Sequence, residues 1–439
     1  MALTYFITTF GCQMNKGDSE LMAHSMKAHG FEEADSEANA DIVIFNTCSV
    51  RQHAEERALA RIGAAVSRKK KHGAVAVAGC MAQRLGNTLI EKYGADIVIG
   101  PYRSPAAGAI LAGYLFGGGT ALHLSQETGD LESRIHDSLA REKDALPWHT
   151  WITITHGCEN FCAYCIVPHV RGRLVSFPSE SILRYARICA HEGIKEITLL
   201  GQNVNQYGMD SGDIPFSRLL GRIAEIDGLL RVNFLTSHPK DFTADIIEIV
   251  RDHDIISRAL HLPLQSGSDP VLARMNRQYT FSQYMALVER IEHTLSSYSI
   301  STDLIVGFPG ETADDFERTL SAVRAIRFDE AYMYAYSPRE GTAAYDMEET
   351  LSREEKLDRL QCLIDTQREI SLQKLHARLH HTESVIIESM SKKSDTEMMG
   401  KTFLNHPIVT PGTNDDIGKK FSITVTAVKG STLYGEKIA

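Results

Sequence analysis

The stretch His156-Gly157-Cys158-Glu159-Asn160-Phe161-Cys162-Ala163-Tyr164-Cys165 decides how this chain is read. It follows the strand-like run Trp151-Ile152-Thr153-Ile154-Thr155 and puts three thiols within eight residues. Three thiolates on one short loop can hold three irons of a four-iron cluster and leave the fourth open to a ligand. A zinc site is the competing reading. Zinc knuckles pair one Cys-x-x-Cys with a second pair downstream, and no such pair follows this loop.

Downstream, strand-like and helical runs alternate. Strands are expected at Glu196 to Gly201, Arg231 to Thr236, Ala259 to Leu264, Ser299 to Val306 and Glu330 to Tyr336, with helices such as Glu180 to His191, Ala244 to Asp252 and Phe281 to Thr294 between them. With the strand at Trp151 these make six βα units, enough for a partial parallel barrel. Such folds place their chemistry at the carboxyl ends of the strands. There lie Gly201-Gln202-Asn203-Val204-Asn205, Thr236-Ser237-His238-Pro239, His261-Leu262-Pro263-Leu264-Gln265-Ser266-Gly267-Ser268 and Thr302-Asp303 through Gly310-Glu311. Small residues let backbone approach a ligand, and Gln, Asn and Ser offer neutral hydrogen bonds.

Upstream, three apolar runs each end in a cysteine: Thr4 to Cys12, Asp41 to Cys48 and Ala74 to Cys80. Helical patterns follow, for example Ser19 to His29 and Ala54 to Lys70. Strand-then-helix repeats build a parallel sheet whose carboxyl ends share one edge, so Cys12, Cys48 and Cys80 are expected together although 36 and 32 residues separate them. Three convergent thiols suggest a second cluster; three incidental strand-end cysteines are the plain alternative. The run Arg68-Lys69-Lys70-Lys71 reads as a solvated helix end, with an RNA phosphate contact as the alternative.

Length and composition fit these modules. A chain of 439 residues, 43% apolar and 23% charged, suits a soluble protein of two to four domains. The amino terminus lacks an export pattern, and the longest apolar stretch, 106–119, is shorter than the ~20 residues of a membrane span, so a cytosolic protein without membrane attachment is expected. Eight cysteines in such a chain argue against a disulfide framework, and Cys189 and Cys362 read as small buried hydrophobes. The net charge of −10 leaves any RNA binding to local patches. After a long helix from Ser352 to about His381, strand-like runs at Ser384 to Glu388, Lys401 to Leu404 and Lys420 to Val428 suggest a small antiparallel barrel. From Glu383 onward it has seven Lys against seven acidic residues, so it is not basic overall. The boundaries expected are 1–120, a linker 121–147, 148–372 and 373–439.

The Cys158/Cys162/Cys165 spacing resembles that of the radical S-adenosylmethionine enzymes. Phe10-Gly11-Cys12-Gln13-Met14-Asn15, Asp18-Ser19-Glu20 and Asn46-Thr47-Cys48-Ser49-Val50-Arg51 resemble the methylthiotransferases within that group. The resemblance covers nearly the whole chain. It implies two [4Fe-4S] clusters, the second an auxiliary one on Cys12, Cys48 and Cys80 that carries the sulfur to be inserted. It also implies that the first cluster cleaves S-adenosylmethionine to a 5′-deoxyadenosyl radical. Tyr164, Gln202, Ser237, Gln265 and Asp303 are the S-adenosylmethionine contacts it implies, and the carboxy-terminal barrel resembles the RNA-binding TRAM module.

Gly201 to Asn205 and Ser237-His238-Pro239 are most similar to the branch acting on N6-isopentenyladenosine in tRNA. The implied reaction is methylthiolation at C2 of that adenine, and the alternative substrates are threonylcarbamoyl-adenosine tRNA or a ribosomal protein. A non-catalytic, zinc-binding RNA-interaction protein is the alternative of another class. An unstacked anticodon-loop base, a low-potential donor such as flavodoxin and a monomer complete the expectation. Two departures stand out: Leu174 and Phe177 replace a Glu and an Arg usual in relatives, and Ala343 stands where Pro is usual.

Overall fold

The computed structural model describes residues 3–49, 52–117, 119–125 and 148–438; most of the expected linker, 126–147, lies outside them. Six strands, β1 (Thr4–Thr9), β2 (Glu32–Glu33), β3 (Ile42–Thr47), β4 (Ala74–Gly79), β5 (Ile97–Ile99) and β6 (Leu122–His123), form one parallel sheet in the order β2-β1-β3-β4-β5-β6. β6 continues the sheet into the segment expected to be linker. Every residue of β3 and β4 is buried, because helices cover both faces. Ile42, Ile44, Ala76 and Ala78 face one apolar layer with Met22 and Met26 of α1 (Gln13–Ala28). Val43, Phe45, Val75 and Val77 face the other with Ala58 and Ile62 of α2 (Gln52–Arg68). Two-sided burial explains why these strands read as continuous apolar runs rather than alternating ones.

β7 (His149–Thr153), β10 (Glu196–Leu200) and β11 (Arg231–Phe234) form one parallel ladder, and β12 (Ala259–His261), β13 (Ser299–Val306) and β14 (Glu330–Ala335) another. A bridge between Val232 and Ile256 joins them, giving the partial six-stranded barrel. Its outer face packs under helices in one large core that includes Ile197, Leu199, Val232, Leu260, Leu304 and Val306. At roughly 1.5–3 kcal/mol for each large apolar side chain removed from water, this layer dominates the stability of the middle of the chain. β8 (Thr155–His156) and β9 (Val175–Ser176) pair antiparallel and pinch the base of the cysteine loop.

The helix Arg353–His376 leads to β15 (Thr382–Met390), β16 (Glu397–Thr402), β17 (Pro407–Pro411), β18 (Lys420–Lys429) and β19 (Thr432–Lys437). These close into a barrel in the order β15-β16-β17-β19-β18. Four of the five neighbouring pairs run antiparallel, as expected, and one, β17 with β19, runs parallel. An odd number of strands cannot close with every neighbouring pair antiparallel. The β16–β17 turn docks on the amino ends of the central strands, where Ser257 and Ser299 hydroxyls donate to the carbonyls of Phe403 and Leu404.

Two smaller expectations resolve here. Lys69 pairs with Asp96 and Lys70 with Asp41, at 2.6 and 2.9 Å, which favours the helix-end reading of that basic run. Cys189 is buried as expected, but Cys362 is exposed: its helix turns that face to solvent.

Candidate active site

The cysteine loop is held from all sides. Gly157, at φ +71°, lets the chain pass within contact of Arg173, and the Cys158 N–H donates to the Gly172 carbonyl at 3.3 Å. The Ala163 N–H donates to Met275 O and its carbonyl accepts from Ala344 N–H. Asn276 Nδ2 donates to Phe161 O at 2.8 Å, and Gln278 Nε2 to Asn160 O at 3.1 Å. Phe161 itself sits at φ +45° and is 49% exposed, an unusual combination for a bulky residue.

The charge environment of the loop was invisible in the sequence. Arg277, buried at 3% exposure, donates from Nη1 to Cys162 Sγ and to the Tyr164 hydroxyl, each at 3.2 Å. Its Nη2 donates to Pro263 O at 2.8 Å. His238 Nε2 lies 4.0 Å from Cys162 Sγ. Burial, with Arg277 and Lys240 nearby, pulls His238 down to about 2, so it stays neutral. Burial pushes the Cys158 thiol up to about 11 and Cys165 to about 12. Their thiolates therefore need a cationic partner, which iron provides.

Polar groups without partners gather at the neighbouring strand ends. Asn203 Nδ2 and Asn160 Nδ2 converge on Asp241, and the His238 N–H donates to Asn205 Oδ1. The buried atoms Gln202 Oε1, Asn203 Oδ1, Asn205 Nδ2, Gln206 Oε1, Ser237 Oγ and Gln265 Oε1 have no hydrogen-bond partner among the described residues. Buried polar groups are normally paired, so a cluster of unmet neutral groups beside the thiols suits a polar, amino-acid- and ribose-bearing ligand. Thr236 and Gln265 stand at φ +69° and +70°, strain of the kind found at ligand sites. Asp303 differs from this set. Its carboxylate faces His261 Nε2 at 3.3 Å, and Tyr332 lies across from it in the β13–β14 register. Tyr164 is likewise already engaged through Arg277.

The three amino-terminal cysteines meet at the carboxyl edge of adjacent strands β1, β3 and β4. A Cβ on Gly11 would lie 2.4 Å from Cys48 Cβ, which shows how tightly the Cys12 and Cys48 turns abut. Cys12 is exposed; a hydrogen bond with Cys48, aided by the Arg171 charge, brings its thiol down to about 6. Burial pushes Cys80 up, against the pull of Arg171, whose Nε donates to its sulfur at 3.3 Å. Cys80 packs with Ile166 and Val170, directly beyond Cys165, so both thiol groups adjoin one short element. Among the described residues, no three Cys, His, Asp or Glu side chains close on one point as ligands of a single metal ion would. A cuboidal cluster spreads its thiolates over separate irons.

A cleft of about 440 Å³ opens beside the loop, lined by Phe161, Cys162, Cys165, His169, Thr342 and Asp346 among others. Ala343, one of the two departures noted in the sequence, is on its wall. The other departure, Leu174 and Phe177, is buried at 5% and 3%, so apolar packing occupies the positions where charges were expected.

Comparison with known proteins agrees with this layout. Residues 4–100 match the Uncharacterized protein family UPF0004, 152–323 the Radical SAM superfamily and 381–438 the TRAM domain. Membership of the second brings S-adenosylmethionine and a [4Fe-4S] cluster, and the three partly exposed loop thiols and the unmet polar groups fit them. The radical S-adenosylmethionine methyltransferase TsrM from Kitasatospora setae shares the fold at a TM-score of 0.56 and 14% identity, over 79% of this chain and 74% of that one. A tRNA-2-methylthio-N(6)-dimethylallyladenosine synthase from Carboxydothermus hydrogenoformans is 40% identical over 98% of both chains. One from Thermoanaerobacter pseudethanolicus is 38% identical over 99% of this chain and 93% of its own. This chain is a radical S-adenosylmethionine enzyme and belongs to the family of tRNA-2-methylthio-N(6)-dimethylallyladenosine synthases.

Proposed function

We propose that this enzyme inserts a methylthio group at C2 of N6-isopentenyladenosine in the anticodon loop of tRNA, using an auxiliary cluster on Cys12, Cys48 and Cys80 beside the one on Cys158, Cys162 and Cys165. The observation that carries this reading is the packing of Cys80, one of three strand-end thiols, on the short helix that follows Cys165, with unmet polar groups beside the loop. C2 is an unactivated aromatic carbon, so acid–base chemistry has little purchase on its hydrogen. Bound S-adenosylmethionine at a reduced cluster supplies the radical chemistry that such a bond requires.

The chain's own residues do the rest. Arg277 offsets thiolate charge at Cys162 and fixes the Tyr164 ring against it. Gln202, Ser237 and Gln265 hold S-adenosylmethionine; Asp303, already facing His261, is left out of that set. The cleft beside Phe161, lined by Cys162 and Cys165, would take the cluster those thiols hold, and the half-exposed Phe161 at its rim offers a flipped base a stacking surface. The carboxy-terminal barrel grips RNA with cations snorkelled over aromatic rings, as Lys429 over Tyr434 and Lys437 over Phe421. A cytosolic monomer fed by a low-potential donor such as flavodoxin completes the proposal, with the domain limits 1–120, 148–372 and 373–439. Among the described residues, no helix is long and apolar enough to cross a membrane.

The test is iron and sulfide content after anaerobic reconstitution, with wild type beside a Cys158/Cys162/Cys165→Ala variant. About eight irons should fall to about four. About four falling to none would remove the auxiliary cluster and the sulfur-insertion mechanism with it. Hypomodified tRNA and the ribosomal protein assayed side by side then decide the substrate, and turnover on the protein alone would refute the tRNA reading.

A further inference from the structure

The loop that carries the radical-enzyme thiols also sends one charge into the other thiol group. The helix Val167–Arg171 begins two residues after Cys165, and its last residue, Arg171, is only 2% exposed. Arg171 Nη2 donates to Asp18 Oδ2 of α1 at 2.6 Å, and Nε donates to Cys80 Sγ at 3.3 Å. The Tyr102 hydroxyl donates to the Arg171 carbonyl, which fixes the backbone from the amino-terminal side. Nη1 is buried and has no hydrogen-bond partner among the described residues. A guanidinium carries five N–H donors in a rigid fork, and leaving one face of it dry and unpaired is costly. Asp18 offsets the charge but occupies only one nitrogen. Nε takes the Cys80 sulfur, and Nη1 is left without a partner among the described residues.

We propose that Arg171 is a positioning residue for the auxiliary cluster: reaching across from the radical domain, it hydrogen-bonds the Cys80 corner and sets the charge felt there. This rests on the reading of Cys12, Cys48 and Cys80 as cluster ligands. Hydrogen bonds and charges around cluster sulfurs are what tune reduction potential, and a fixed cation favours the more negative, reduced state. Arg277 stands in the same relation to Cys162, donating to its sulfur at 3.2 Å. Among the described residues a buried arginine thus donates to one sulfur of each thiol group, and Arg171 does so from the opposite domain.

The test uses the full-length Cys158/Cys162/Cys165→Ala protein, reconstituted anaerobically so that any remaining cluster is the auxiliary one. Its midpoint potential and electron paramagnetic resonance signal are compared with those of the same protein carrying Arg171→Met, Arg171→Lys or Asp18→Asn. Arg171→Met should shift the potential negative and alter the signal; Arg171→Lys, which keeps the charge but not the fork, should keep most of the potential. Asp18→Asn should shift it positive, because the guanidinium then loses its neutralising carboxylate. A merely structural arginine would alter iron content without shifts of opposite sign. About four irons with an unchanged potential in Arg171→Met overturn the assignment, and so does an unchanged potential in Asp18→Asn if Arg171→Met holds no iron. A parent protein without iron overturns the cluster reading itself, a separate result.

Discussion

Replacing Arg231 with methionine should lower the unfolding free energy by about 3–5 kcal/mol, the usual cost of stranding one partner of a buried ion pair. Arg231 and Glu196 side chains are 3% and 6% exposed, and Nε and Nη2 donate to Glu196 Oε2 at 2.8 and 2.5 Å. Nη1 donates to the carbonyls of Lys401 and Thr402, so the same side chain fastens the carboxy-terminal barrel to the central one. Without it Glu196 keeps a bond from Asn233 at 2.6 Å but no full charge partner. His149, 4.0 Å away, offers no substitute cation at neutral pH, because burial first, and Arg231 second, hold it down to about 3. Methionine leaves the first of these causes intact. Adding Glu196→Gln should restore part of the loss by removing the stranded carboxylate. Denaturant unfolding measures the total, and hydrogen exchange at Phe403 to His406 reads the docking locally. A change within about 1 kcal/mol, as for an exposed pair, would refute the docking role.

What could be read from the sequence follows from periodicity. Helices at Ala244–Asp252 and Phe281–Thr294 lie where their apolar spacing put them. Cys12, Cys48 and Cys80 converge because a parallel βα repeat leaves no other edge for strand-end residues. The carboxy-terminal barrel was less legible. β17 contains two prolines in five residues and β19 follows a two-residue turn, so both escaped a reading based on β-branched runs.

The charges around the thiols were hidden for a different reason. Arg277 reaches Cys162 across 115 residues and Arg171 reaches Asp18 across 153, and no local pattern encodes such a meeting. The role of Arg171 depended on which sheet edge its helix would face. Asp303 illustrates the converse. A strand-end acidic residue in the right motif reads as a ligand contact, and only the structure adds that it also faces His261 from the neighbouring strand.

Two glycine-to-alanine changes should separate the clusters. Gly157 precedes Cys158 at φ +71°, and a Cβ there would lie 1.8 Å from the Arg173 carbonyl oxygen and 2.7 Å from that of Gly172. Both obstacles are backbone, pinned by the β8–β9 pairing, so the loop rather than the obstacle must move. Displacement of reacting groups by about 1 Å costs on the order of 10²-fold in rate. Gly157→Ala should therefore lose about four irons and at least that factor in S-adenosylmethionine cleavage, while Cys12, Cys48 and Cys80 keep theirs. Gly11, at φ +114°, faces Cys48, with its virtual Cβ 2.4 Å from Cys48 Cβ and 3.1 Å from Sγ. Gly11→Ala should lose the other four irons, keep S-adenosylmethionine cleavage and abolish methylthiolation. Iron analysis and two product assays read both variants. Loss of all iron from either would mean that the thiol groups form one cooperative unit, joined through Cys80, Ile166 and Val170, and retention of all iron in Gly157→Ala would contradict the backbone geometry that sets the loop.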